Sequence, residues 1–161
     1  MNNFFHRLAL FSFLTFFTFS QPTFAEVKMK AFAAAPAFNA LKIGNAEWAL
    51  RFFNNRKLDN MNFSSANNLC VALVLKGELT QANDACEVAL AHTAKSGYLR
   101  GARRRKEAEA LILSNLAMIG VLSGDLGAAR DYAEQASSRN ALDREMKANL
   151  DASMLQPLAT N

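Results

Sequence analysis

Histidine is scarce. It occurs twice in 161 residues, and beyond the N-terminal segment only as His92. A metal site built on a histidine pair at ligand spacing is therefore excluded, and His92 reads as a surface residue at a helix end. No glycine loop fit to cradle phosphate and no nucleophile elbow is present. The scattered carboxylates Asp84, Glu87, Asp131 and Glu134 fit a solvated helix face better than an acid/base pair. Charge of one sign is also lacking: 18 basic residues stand against 14 acidic ones, a formal net charge of +4. That excess is too small to argue for a nucleic-acid partner. From Leu41 onward no convincing strand pattern occurs. Catalytic residues, cofactor and metal are accordingly none, and the chain reads as a non-enzyme.

What is abundant comes first at the N-terminus. "MNNFFHRLALFSFLTFFTFSQPTFA" holds eight of the thirteen phenylalanines. Arg7 supplies a positive n-region, Leu8 to Ser20 an uncharged apolar run, and Thr23-Phe24-Ala25 small residues where a signal peptidase reads them. Residues 1–25 are thus expected to be a secretory signal peptide cleaved after Ala25. The alternative is a membrane anchor, for which the 17 residues from Leu8 to Phe24 are slightly short: as a helix they would span about 26 Å against roughly 30 Å of hydrocarbon. No cysteine follows it, so a lipid-anchored form is not indicated. Loss of Arg7, the one charged residue in the segment, lowers the formal charge from +4 to +3. Export places the protein in a bacterial periplasm or outside the cell, in an oxidising compartment.

Residues 26–40, "EVKMKAFAAAPAFNA", read as a short extended arm. Val27, Met29 and Ala31 alternate with Lys28, Lys30 and Phe32, and Pro36 argues against one continuous helix. The remainder reads as helices interrupted at glycine or asparagine clusters. Phe53 to Asn68 is a turn-rich connection, with Ser64 or Ser65 as the cap of the next helix.

Internal repetition organises residues 41–155, followed by a tail, 156–161. Aligning Asn68 with Asn115 at an offset of 47 pairs Gly77 with Gly124, Glu78 with Asp125, Ala82 with Ala129, Cys86 with Ala133 and Ala89 with Ala136. Gly44, Ala49 and Phe53 echo the pattern upstream, and Asn149-Leu150 echoes it downstream. Each unit reads as two antiparallel helices. Gly77 and Gly124 end the first helix in the left-handed conformation. The acid that follows sits near the N-terminus of the second, where negative charge is favourable. Ala82, Ala89, Ala129 and Ala136 lie on one face of the second helix and permit close approach.

These residues resemble the tetratricopeptide repeat, a unit of about 34 residues. The resemblance covers the two central units well, the upstream echo as a second helix with a shortened first, and the downstream echo as an unpaired first helix. Ala66, Leu73, Leu113 and Gly120 stand where the family has aromatic residues, and the 47-residue offset implies an insertion of about 13 residues around "AKSGYLRGARRRKE". The resemblance implies an all-α fold of antiparallel hairpins in a short right-handed solenoid, and a protein-binding or scaffold role. It implies a partner-binding groove in which Asn68 and Asn115 hydrogen-bond a ligand backbone. Val71, Val74 and Leu75, with Met118, Val121 and Leu122, would line or adjoin it. The groove is either open or covered by the arm.

A second reading attaches to Arg100, Arg103, Arg104, Arg105 and Lys106. This basic patch suits anionic lipid, an envelope polyanion or an acidic partner; the alternative is a solvated helix start balanced by Glu107 and Glu109. Membrane contact enters only through that patch. The expected partner is an unidentified protein or, since two full units lie near the lower limit for a stable array, a second copy of the chain. Cys70 and Cys86 are expected to be free, buried thiols. If Cys70 meets Ala82, Cys86 lies one helical turn, about 6 Å, further along.

Overall fold

The computed structural model describes residues 29–139. The proposed signal peptide, residues 26–28 of the arm, and everything from residue 140 onward, including the Asn149-Leu150 echo and the tail, lie outside the described residues. Among the described residues the protein is all-α, with no strand. The helices are α1 (Phe38–Lys42), α2 (Ala46–Arg51), α3 (Phe63–Lys76), α4 (Leu79–Thr93), α5 (Ala102–Ser123) and α6 (Leu126–Arg139), with a single 3₁₀ turn at Leu58–Asn60.

Helix boundaries follow local chemistry. Gly77 and Gly124 end α3 and α5 with φ of 83° and 81°, a conformation that costs glycine little and an L-residue more. Two residues then suffice to reverse the chain, so α3–α4 and α5–α6 are tight antiparallel hairpins. The acids after the glycines act differently. The Asp125 carboxylate accepts the Ala128 N–H at 2.9 Å and caps α6. Glu78 makes no cap and instead pairs with Lys76 at 2.7 Å, holding that ammonium above its ordinary pKa. The cap of α3 is neither Ser64 nor Ser65 but Asn62, whose side chain accepts the Ser65 N–H at 2.9 Å. Asparagine one residue outside the helix outcompetes serines already within its first turn. The arm is shorter than expected: helix begins at Phe38, directly after Ala37, whose left-handed φ of 69° lies outside any helix.

The hairpins pack in chain order, α4 lying between α3 and α5. Ala82, Ala89 and Ala129 are fully buried and Ala136 nearly so, whereas Ala128 is half-buried. The middle of α5 is enclosed almost all round, with Ile112, Leu113 and Leu116 among the largest fully buried side chains. Gly120 sets the closest approach. A Cβ there would come within 2.8 Å of the Ala129 backbone nitrogen on α6. The expected insertion forms the loop 94–101 and the first turns of α5, which begins at Ala102.

The cysteines correct the expectation of free thiols. Cys70 and Cys86 form a disulfide, with α-carbons 5.3 Å apart. The register explains the difference. With only Gly77 and Glu78 linking α3 to α4, positions at nearly equal distances from that link face each other. Cys70 lies six residues before Lys76, and Cys86 seven after Leu79, within one residue of that symmetry. The expected pairing of Cys70 with Ala82 placed the crossing too near the turn. In the second hairpin the position equivalent to Ala82, Ala129, meets Gly120, which is the equivalent of Leu73 and not of Cys70. Closing this short loop is worth about 3 kcal/mol in the chain-entropy model.

Gly120→Ala tests the α5–α6 contact against intrinsic propensity. Alanine should gain about 0.5–1 kcal/mol as a helix former. It should lose about 1–3 kcal/mol by overpacking, because the obstructing atoms are backbone. A net fall in melting temperature is expected by thermal denaturation, with Ala128→Leu on the looser face changing it less.

Candidate functional site

The site is built on three asparagines inside the helical layer. Asn67 and Asn68 lie on α3, Asn115 on α5, and all three are fully buried. Burying an amide without partners costs a few kcal/mol, so each must be answered by the protein. The answer is the backbone of the chain's own N-terminal segment.

Asn115 grips residue 30: its Oδ1 accepts the Lys30 N–H at 2.9 Å, and its Nδ2 donates to the Lys30 carbonyl at 2.8 Å. Asn68 grips residue 32 in the same way. Its Oδ1 accepts the Phe32 N–H at 2.8 Å, and its Nδ2 donates to the Phe32 carbonyl at 3.0 Å and to that of Pro36 at 3.0 Å. Asn67 joins the two grips, donating to the Lys30 carbonyl at 3.0 Å while its Oδ1 accepts Asn115 Nδ2 at 2.9 Å. No buried side-chain nitrogen or oxygen among the described residues is left without a partner.

The period of two in this pattern is the mark of an extended chain, whose alternate residues turn both N–H and C=O to one edge. Two side-chain amides, 47 residues apart, thus act as the neighbouring strand. The side chains of the segment add apolar contact. Met29, Ala31 and Phe32 pack on the core, and the Phe32 ring meets Phe63 edge-to-face at 5.2 Å. An asparagine reads the backbone alone. Phe32 is the segment's aromatic anchor.

Of the two alternatives left open by the sequence, the structure has the covered one. The other predicted groove residues are unevenly placed. Val71 is buried, while Val74, Met118, Val121 and Leu122 are half-buried. Leu75 is 45% exposed, near the end of α3 and away from the arm's hydrogen bonds. Asn67 was missed because the repeat has no equivalent asparagine: Ser114 occupies that place. Its only sequence signal is the doubled Asn67-Asn68.

The basic patch lies elsewhere. Arg100 precedes α5, and Arg103, Arg104, Arg105 and Lys106 occupy its exposed first turns. Gly101, at the cap position, supplies no side chain to the free N–H groups. Arg103 pairs with Glu107 at 2.9 Å, while Glu109 turns away to Arg139 at 2.8 Å and Thr93 at 3.4 Å. His92 is half-buried and not a plain surface residue: its Nδ1 lies 2.7 Å from the Met61 carbonyl, tying α4 to the loop before α3. A pocket lined by residues between Asn55 and Ser65, Arg56 and Lys57 among them, contains none of the predicted site residues. Among the described residues no group of three His, Cys, Asp or Glu is placed to hold a metal, and no helix is long and apolar enough to cross a membrane.

Comparison with protein-family models, curated proteins and solved structures finds no match to this chain.

Asn68→Ala removes partners from the Phe32 N–H and from the Phe32 and Pro36 carbonyls. A loss of about 2–3 kcal/mol is expected in urea unfolding, since groups of this kind cost about 1–3 kcal/mol each when left unsatisfied and water answers some of them. Asn83→Ala, which removes only a solvent-exposed hydrogen bond to Glu87 from a half-buried side chain, should stay within about 0.5 kcal/mol of the parent.

Proposed function

We propose that this is an exported, tetratricopeptide-like binding or scaffold protein that holds extended polypeptide in its asparagine groove and carries no catalytic activity. The observation that carries this reading is the paired grip of Asn68 and Asn115 on the backbone of residues 32 and 30. Equivalent positions of two consecutive hairpins hold chain atoms two residues apart. That is the geometry of a repeat array reading an extended segment. The resident segment is the chain's own, so an outside ligand competes with it.

The repeat assignment is supported by the left-handed glycines at equivalent turns and by the buried alanines 47 residues apart. In this reading the hairpins form a short right-handed solenoid, with the short α1–α2 pair as its reduced first unit. Export is supported by the N-terminal pattern of residues 1–25 and accords with the Cys70–Cys86 bridge, since such bonds persist in oxidising compartments.

The test uses a synthetic peptide of residues 29–36 against the chain carrying Lys30→Pro. That substitution removes the N–H that Asn115 accepts and so weakens the resident arm. Saturable binding by calorimetry is expected, and it should be lost when the peptide is N-methylated at the residues equivalent to Lys30 and Phe32. No binding of the unmodified peptide would defeat the proposal.

A further inference from the structure

We propose that the arm is exchanged between copies: residues 29–36 of one chain fill the asparagine groove of a second, which makes the groove a dimer interface completed by the partner copy. This rests on the arm's geometry and holds independently of any outside ligand.

The arm is portable. Its hydrogen bonds run to Asn67, Asn68 and Asn115 on α3 and α5, while the chain it leads into, α1, is a separate element. These bonds are made by arm backbone, and the aromatic contact is Phe32 on Phe63 of α3. A second copy's arm therefore reproduces them in trans.

The groove also requires an occupant. When the arm leaves, the three buried amides lose every partner on it and only the Asn115–Asn67 bond remains, and Phe63 loses its ring contact. The empty state is costly, and another copy's arm is the segment certain to fit.

The hinge favours release. The arm reaches α1 through a turn at residues 33–37 that ends on Ala37, with φ 69° and ψ −3°. Alanine in the left-handed region is disfavoured because its Cβ crowds the following carbonyl. The closed form needs that conformation to bring the arm back over α3. An exchanged arm pivots at Ala37 alone and keeps the turn before it, which brings the Phe32 and Pro36 carbonyls to one Asn68 amide; the strain is dropped and those groove contacts remain, the circumstance in which swapping is cheap. The α1–α2 pair that follows the hinge also presents Ile43, Trp48 and Phe52 to solvent, at 68%, 41% and 43% exposure, with the Trp48 and Phe52 rings in contact at 6.2 Å. That face is carried toward the second copy with the arm.

The experiment is sedimentation equilibrium of the full mature chain over a wide concentration range, with two hinge variants. Ala37→Gly accepts the left-handed conformation without strain and should weaken dimerisation by about tenfold. Ala37→Pro forbids it and should strengthen dimerisation by at least about tenfold. A mixing arm identifies the interface. A chain with Lys30→Pro (arm defective) and a chain with Asn68→Asp (groove defective) should each dimerise poorly alone, and should form a heterodimer together through the one intact arm–groove pair. If Ala37→Pro fails to fold, the direction of Ala37→Gly and the mixing result decide. Monomer at every concentration, or a dimer indifferent to the hinge and to Phe32→Asp, overturns the proposal. The peptide assay above fails or succeeds separately, because it requires no dimer.

Discussion

Three amides buried inside a helical layer impose the constraint from which the rest of this structure follows. Asn67, Asn68 and Asn115 have no exposure to water. Desolvation would cost a few kcal/mol for each if nothing answered it. An α-helix cannot answer them, because its own backbone groups are already paired except at the ends. An extended segment can, because it presents free N–H and C=O groups at every second residue. The arm therefore belongs to the core: it completes the polar interior of α3 and α5 while Met29, Ala31 and Phe32 complete the apolar one.

The small residues and the disulfide hold the frame that makes this possible. Gly120 brings α5 to within touching distance of the Ala129 backbone, and the Cys70–Cys86 bridge fixes α3 against α4 one turn from Asn67 and Asn68. The first hairpin uses a covalent bond where the equivalent positions of the second, Ala117 and Ala133, are small side chains. A preformed frame matters because the paired grips on Lys30 and Phe32 need Asn68 and Asn115 at a fixed separation.

Much of the helical organisation was legible in the sequence because it depends on residue types that have few substitutes. A left-handed helix end favours glycine, and Gly77 and Gly124 announce both turns. A close helix contact needs small residues, and the alanines repeat at 47. The covering of the groove was not legible for the opposite reason. Asparagine reads backbone, which every residue carries, so nothing in "MKAF" records that Lys30 and Phe32 are held. Asn67 escaped notice because its role is to join the two grips, and that role occurs once. The disulfide was misjudged by less than one helical turn of register, a quantity set by the two-residue link between α3 and α4 and not by the cysteine spacing alone.

Amide hydrogen exchange along residues 29–36 tests the central claim most directly. The Lys30 and Phe32 amides donate to Asn115 and Asn68, and both should be protected to the level of the α3–α5 core, while Ala31 between them exchanges markedly faster. Protection at both should fall in Asn68→Ala and Asn115→Ala at the residue each asparagine holds. Uniformly fast exchange across the segment, or protection that ignores the alternation, would contradict an asparagine-held extended arm.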